Sequence, residues 1–94
     1  MFDIKSASEN EIQLFGRFDA SQAEKAKEVF ANVTETTRVD FMQLEYISSM
    51  GLGVLLSTQK RLKAAGHELI LINLNSHIRE IFKYAGFDMV FNIQ

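Results

Sequence analysis

Two adjacent serines and a glycine stand where a long helix is predicted to begin. Ser48 and Ser49 lie between a short apolar segment and a long amphipathic one, and Gly51 falls in the first turn. The first N–H groups of a helix have no partner within the helix and form the positive end of its dipole. A serine hydroxyl there either caps the helix or receives a phosphate group that the dipole helps to hold. The residues alone leave both roles open for Ser49.

Other chemically interesting residues give weaker signals. Gly51 and Gly53 do not form a phosphate loop, because the Gly-x-x-x-x-Gly-Lys pattern and the third glycine of a dinucleotide fingerprint are absent. Close approach of the helix to the sheet or to a partner explains them better. Met50 either faces a partner as an adaptable contact or points inward. His67 and His77 are separated by a predicted strand and accompany no cysteine, so no metal site is expected. No histidine is placed to activate a serine, so we predict no enzyme.

Composition narrows the class of protein. The chain has 94 residues, of which 47% are hydrophobic, and this predicts one globular domain over residues 1–94. The absence of cysteine excludes disulfides and thiolate metal sites. The net charge of −2 argues against a nucleic-acid partner. No apolar run approaches the roughly 20 residues that cross a bilayer, and no signal-peptide pattern opens the chain. We therefore expect a cytoplasmic protein without membrane insertion or cofactor.

The hydrophobic pattern predicts elements in the order ββαβαβαβ. The predicted strands cover residues 2–7, 11–15, 38–41, 69–72 and 89–91. The predicted helices begin near residues 21, 49 and 76, and end near residues 32, 65 and 85. The hairpin start followed by alternating strands and helices predicts an α/β fold with a mainly parallel, mixed sheet. The helices are expected largely on one face of that sheet.

Finer features of the elements are also predicted. Ser21 with Glu24 and Asp19 with Gln22 are competing capping pairs for the first helix. The second helix has an apolar stripe formed by Leu52, Leu55, Leu56 and Leu62. Its solvent face is predicted to carry Gln59, Lys60, Arg61 and Lys63. The third helix is predicted to bury Ile78, Ile81, Phe82 and Ala85. Leu44 and Ile47 are expected to point inward although they follow the third predicted strand.

Four segments of the chain resemble a known family. They cover residues 14–20 (LFGRFDA), 39–41 (VDF), 46–56 (YISSMGLGVLL) and 74–87. Together, and in this order, they resemble the STAS domain of the bacterial anti-sigma factor antagonists. The third segment is the most specific, and the resemblance extends over nearly the whole chain. It implies a single STAS domain.

The resemblance implies a partner and a switch. Members of this family bind an anti-sigma factor that is also a serine kinase with a histidine-kinase-like ATPase fold, and this binding frees a sigma factor. The kinase phosphorylates one serine of the antagonist, which then dissociates, and a PP2C-type phosphatase restores it. The matching residue here is Ser49, with Ser48 as the second choice. Two departures stand beside it, because many members have Asp where this chain has Ser48 and Ser or Thr where it has Met50.

A partner-binding surface is therefore expected around the helix start. Its predicted members are Asp19, Tyr46, Ser48, Ser49, Met50, Gly51, Leu52 and Gly53. Asp19 is alternatively a cap or turn residue, and Tyr46 is alternatively a core aromatic. The alternative function is a STAS subunit with a scaffolding role in a transporter or another regulatory complex, without phosphorylation. The departures at Ser48 and Met50 motivate that alternative.

Overall fold

A computed structural model describes residues 2–94, so that only Met1 of the predicted domain lies outside the described residues. The strands are β1 (Phe2–Ser8), β2 (Glu11–Phe18), β3 (Thr37–Ile47), β4 (Leu69–Ile72) and β5 (Asn92–Ile93). The helices are α1 (Ala23–Ala31), α2 (Ser49–Ala64) and α3 (Ser76–Tyr84), with 3-10 turns at Ala20–Gln22 and Phe87–Met89. The predicted order of the elements is confirmed.

The strands form one sheet in the order β1-β2-β3-β4-β5. β1 and β2 are an antiparallel hairpin, and the remaining neighbours are parallel. Right-handed crossovers that all advance in one direction across a sheet place their helices on the same face. In β4, Leu69 and Leu71 belong to the hydrophobic core, whereas Ile72 lies outside that cluster. The predicted mixed sheet with helices largely on one face is confirmed.

β2 and β3 are both longer than predicted. Residues 13 and 15 of β2 pair with residues 40 and 43 of β3, and residues 16 and 17 pair with residues 44 and 46. Each irregularity inserts one extra residue into β3 and disrupts the simple alternation between the two faces. Leu44 and Ile47 are buried as predicted, although they lie within the strand. β2 continues through Gly16, whose φ of 80° suits the irregular pairing there.

The N-terminal cap of the first helical segment is Asp19. Its Oδ1 accepts hydrogen bonds from the backbone N–H of Ser21 at 3.1 Å and from the Ser21 hydroxyl at 2.6 Å. A 3-10 turn follows, and α1 begins only at Ala23. The predicted capping box of Ser21 with Glu24 is therefore wrong, because the Ser21 side chain donates to the cap instead of acting as one.

α2 carries the largest error in the predicted solvent face. Gln59 was predicted to face water, yet only 1% of it is exposed. Its Nε2 donates to the Val90 carbonyl at 2.9 Å, and its Oε1 accepts from the Leu69 N–H at 2.7 Å. Arg61 is exposed, but its guanidinium donates at 2.8 Å to the carbonyl of Phe30, in the last turn of α1, and at 2.7 Å to the carbonyl of Val33, just after α1. Both polar side chains thus connect α2 to other elements.

The C-terminal region departs from its predicted strand. Gly86, with φ of 76°, ends the helical segment as predicted, and a 3-10 turn follows at Phe87–Met89. The strand predicted at residues 89–91 is wrong, since β5 is Asn92–Ile93 and Met89 is 91% exposed. Ala85 is also exposed, contrary to prediction. Phe91 instead packs on Phe82 of α3, with ring centroids 5.7 Å apart.

Candidate functional site

The carboxyl ends of β2 and β3 meet at the edge of the sheet where α2 begins. Phe18 pairs with Ile47, and the Ser48 N–H donates to the Phe18 carbonyl at 2.9 Å. The carboxyl edge of parallel strands is the usual binding edge of an α/β sheet. The pairing brings the segment after β2, which contains Asp19, beside the segment after β3, which contains Ser48 and Ser49.

The two serines have different environments. Ser48 is the N-cap of α2, with extended backbone angles and a hydroxyl oxygen that accepts from the Gly51 N–H at 3.1 Å. Ser49 is the first residue of the helix and is exposed. Its hydroxyl makes no hydrogen bond to any part of the chain between residues 2 and 94. Ser48 therefore performs the capping role, and the Ser49 hydroxyl is accessible to another protein.

This division predicts different stability effects for two similar substitutions. Ser48→Ala should lower the free energy of unfolding by about 1 kcal/mol, because the Gly51 N–H loses its acceptor. Ser49→Ala should change it by less than about 0.5 kcal/mol, because the side chain has no bond to lose. Urea denaturation, monitored by circular dichroism, measures the free energy of unfolding of both variants. A larger loss for Ser49→Ala than for Ser48→Ala would contradict the assignment of the cap.

The two glycines of the segment are not equivalent. Gly51 is buried, and a Cβ atom there would stand 2.9 Å from Ile47 Cγ1 and 3.1 Å from Phe18 Cγ. The predicted close approach of the helix to the sheet therefore explains Gly51. Gly53 is exposed, and a Cβ atom there would have no neighbour within 4 Å in the described part of the chain. Packing within the domain does not require a glycine at position 53. The close approach of a partner to Gly53 stays a prediction.

The glycines should accordingly respond to alanine with opposite signs. Gly51→Ala should destabilise the domain by about 1–2 kcal/mol, because overpacking against Phe18 and Ile47 outweighs the better helix propensity of alanine. Gly53→Ala should stabilise it by up to about 1 kcal/mol through propensity alone. Denaturant midpoints of the two variants test this difference. Stabilisation by Gly51→Ala would show that the helix start is not tightly packed on the sheet.

The remaining predicted site residues divide between surface and support. Met50 is 53% exposed beside Ser49, so it points outward. Leu52 is a core residue, 8% exposed, and it holds the first turn on the sheet without offering its side chain to a partner. Asp19 is half-buried and acts as the cap described above. Tyr46 is half-buried and lies outside the hydrophobic core cluster, contrary to the core alternative.

Arg17 is a surface residue of this region that the sequence interpretation missed. Its guanidinium carbon lies 4.5 Å from the centre of the Tyr46 ring, a cation–π stack between neighbouring strands. The strand was predicted to end at residue 15, which left Arg17 in a turn with no cross-strand neighbour. The pairing with Tyr46 depends on the extra residues in β3, and these are not visible in the residue pattern.

Two negative findings apply to the described part of the chain. Within residues 2–94, no three His, Cys, Asp or Glu side chains are grouped so that they could hold a metal ion. Across the same residues, no helix has both the length and the apolar character needed to span a bilayer.

Comparison with known proteins defines the class. The family model described as STAS domain matches residues 6–94, and the chain belongs to this family. BtrV of Bordetella bronchiseptica, a candidate anti-sigma factor antagonist, is 37% identical over 84 residues, which are 85% of this chain and 72% of BtrV. The anti-sigma-B factor antagonist of Listeria monocytogenes is 31% identical over 98% of this chain and 86% of its own length.

A solved structure has the same fold. The Bacillus cell fate determinant SpoIIAA, in its phosphorylated form, superposes with a TM-score of 0.71 at 22% identity. The superposition covers 100% of this chain and 91% of SpoIIAA. At that level of identity the likeness shows a common fold. The family implied by the sequence segments is confirmed by the match to the STAS domain model.

Proposed function

We propose that this protein is an anti-sigma factor antagonist whose binding to an anti-sigma factor frees a sigma factor, and that phosphorylation of Ser49 ends this binding. One observation carries the proposal. Because Ser48 caps α2, the adjacent Ser49 hydroxyl is exposed and has no bond to any described residue. It lies at the positive end of a 16-residue helix, within the segment that most resembles the antagonist family.

The position suits a reversible phosphate group. Phosphorylation adds about −1.5 to −2 charges at neutral pH, and the N-terminus of a helix tolerates that charge. The domain should therefore stay folded, and the effect of the phosphate should fall on the partner. Two relatives that are named anti-sigma factor antagonists, and the phosphorylated form of SpoIIAA, support this function for a domain of this family and fold.

The proposed partners follow from the same function. The anti-sigma factor is a serine kinase with a histidine-kinase-like ATPase fold, and a PP2C-type phosphatase reverses its action. The antagonist acts in the cytoplasm, where sigma factors meet RNA polymerase, and it acts by binding, without an enzymatic activity or a cofactor of its own. The predicted contact surface consists of the exposed residues around Ser49, with Gly51 and Leu52 supporting it from beneath.

Phosphorylation by the cognate kinase tests the proposal. The purified chain is incubated with the kinase and ATP, and the modified residue is located by mass spectrometry. We expect one phosphate on Ser49, none in Ser49→Ala, and an unchanged result in Ser48→Ala under conditions where that variant is folded. Absence of both binding and phosphate transfer with the wild-type chain would overturn the proposal.

The second candidate is a STAS scaffold subunit of a transporter or another regulatory complex. It is favoured by Ser48 and the exposed Met50, which differ from the residues that commonly flank a phosphorylated serine in this family. Affinity purification from the native cell distinguishes the two. Recovery of a transporter ATPase instead of an anti-sigma factor, with no phosphate on Ser49, would favour the scaffold.

A further inference from the structure

The stacked pair of Arg17 and Tyr46 is a cation held in place on the surface. The guanidinium lies 4.5 Å from the ring centre, and the two residues are paired across β2 and β3. Stacking on a flat ring restricts the long arginine side chain, so less conformational entropy is lost when it binds an anion. The pair is thus better prepared for binding than an arginine extended into water.

The guanidinium has no acidic partner among the residues that the structure describes. Among residues 2–94, Arg17 forms neither a salt bridge nor a side-chain hydrogen bond. The nearest acidic residue along the chain, Asp19, uses its Oδ1 to bind the Ser21 N–H and hydroxyl. The N–H donors of the guanidinium, which match the two oxygens of a carboxylate, therefore face solvent unpaired.

Arg17 lies on the face of the sheet that the helices do not cover, so a partner that binds it must contact the strand ends on that face. Phe18 is fully buried on the helix-covered face, so its neighbour Arg17 points to the open face of the sheet. Ser49 begins the helix that packs on the covered face. A phosphate on Ser49 and the Arg17 guanidinium thus lie on opposite sides of the sheet edge, which argues against pairing between them within one chain.

We propose that Arg17, held by Tyr46, is a specificity-determining contact for a carboxylate of the anti-sigma factor. The inference rests on the proposed function. In this arrangement the partner contacts the carboxyl ends of β2 and β3 on both faces of the sheet. It contacts Ser49 and Met50 on one face and the Arg17–Tyr46 pair on the other. Arg17 is continuous with the proposed interface, because Asp19 follows it by two residues and Ser48 is bonded to the intervening Phe18.

Binding measurements with the purified anti-sigma factor test this contact. We expect the dissociation constant to rise about tenfold for Arg17→Gln and about a hundredfold for Arg17→Glu, since the second variant also introduces repulsion. Lys60→Glu is the control, because it changes the net charge by as much as Arg17→Glu does, at an exposed residue near the C-terminal end of α2. Its dissociation constant should stay within twofold of that of the wild-type chain. Tyr46→Leu removes the ring that holds the guanidinium and should weaken binding several-fold. Thermal melts show whether each variant is folded.

The carboxylate itself is identified by charge reversal. An Asp→Arg or Glu→Arg variant of the anti-sigma factor should restore at least tenfold of the affinity lost by Arg17→Glu. If wild type binds and folded Arg17→Glu binds within twofold of it, the contact is refuted and the proposed function stands. If the wild-type chain does not bind the anti-sigma factor at all, both are overturned. If Lys60→Glu and Arg17→Glu weaken binding equally, the change in net charge alone explains the lost affinity, and the contact is also refuted.

Discussion

Ser49→Asp is expected to weaken binding to the anti-sigma factor by about a hundredfold without unfolding the domain. A carboxylate at the first position of α2 imitates part of the charge of a phosphate group. Moving such a charge from water into a packed interface costs several kcal/mol, and a hundredfold loss corresponds to only about 2.7 kcal/mol. At the same position the helix dipole favours a negative charge by about 0.3–1 kcal/mol, so the free energy of unfolding should stay the same or rise.

The opposite signs of these two effects make the test specific. Calorimetry measures binding, and thermal unfolding measures stability on the same sample. Ser49→Ala is the matched control, because it removes the hydroxyl without adding charge and should bind like wild type. A phosphomimetic that binds normally, or that loses binding only because it is unfolded, would contradict the proposed switch.

Gln59→Leu is expected to lower the free energy of unfolding by about 2–4 kcal/mol. A leucine side chain has a volume similar to that of glutamine, but it cannot form hydrogen bonds. It therefore leaves the Leu69 N–H and the Val90 carbonyl without their partner. The unpaired Leu69 N–H is buried and costs about 1–3 kcal/mol, and the partly buried bond to the Val90 carbonyl adds about 1 kcal/mol, which leads to this range. The Leu69 amide should also exchange faster with deuterium, since β4 loses the bond that anchors its first residue.

The neighbouring Lys60 provides the control for Gln59. It is exposed, so Lys60→Leu introduces the same residue one position along the helix without removing a buried bond. Its stability should change by less than about 0.5 kcal/mol. Urea denaturation of both variants gives the comparison. Equal stability of Gln59→Leu and wild type would mean that the two hydrogen bonds contribute nothing net to folding.

The sequence predicted the element order well where local signals were strong. The continuous run Leu69–Ile72 forms β4, and the start at Asn75 and stop at Gly86 bracket α3. These signals are local, because a cap, a positive φ or an apolar run acts within a few residues. The end of β3 and the position of β5 were wrong, because register irregularities and a short edge strand depend on neighbouring strands.

The structure gives the positions of the predicted site residues, and their role in binding a partner stays a prediction. The segment from Ser48 to Gly53 does begin α2, and Asp19 and Tyr46 do lie at the adjoining strand ends. The pattern did not indicate which serine caps the helix, since either hydroxyl has the right chemistry. It also did not indicate Arg17, because the distance between Arg17 and Tyr46 along the chain exceeds any local period.

By itself, then, the amino-acid order determined the family, the succession of strands and helices, and the pair of serines at the start of α2. The succession of elements and the serine pair follow from residue types and short spacings, which act locally, and the family follows from the resemblance of four segments to known proteins. Only the tertiary structure decided that the Ser48 hydroxyl accepts a hydrogen bond while the Ser49 hydroxyl is exposed. It also decided that packing requires a glycine at position 51 and not at position 53, and that Gln59 is buried. The roles of Gly51 and Gln59 depend on which distant segment lies within a few ångströms, and the pairing of β2, β3 and β4 sets those contacts. The choice of cap depends on where α2 begins after β3, a point held by the bond from the Ser48 N–H to the Phe18 carbonyl.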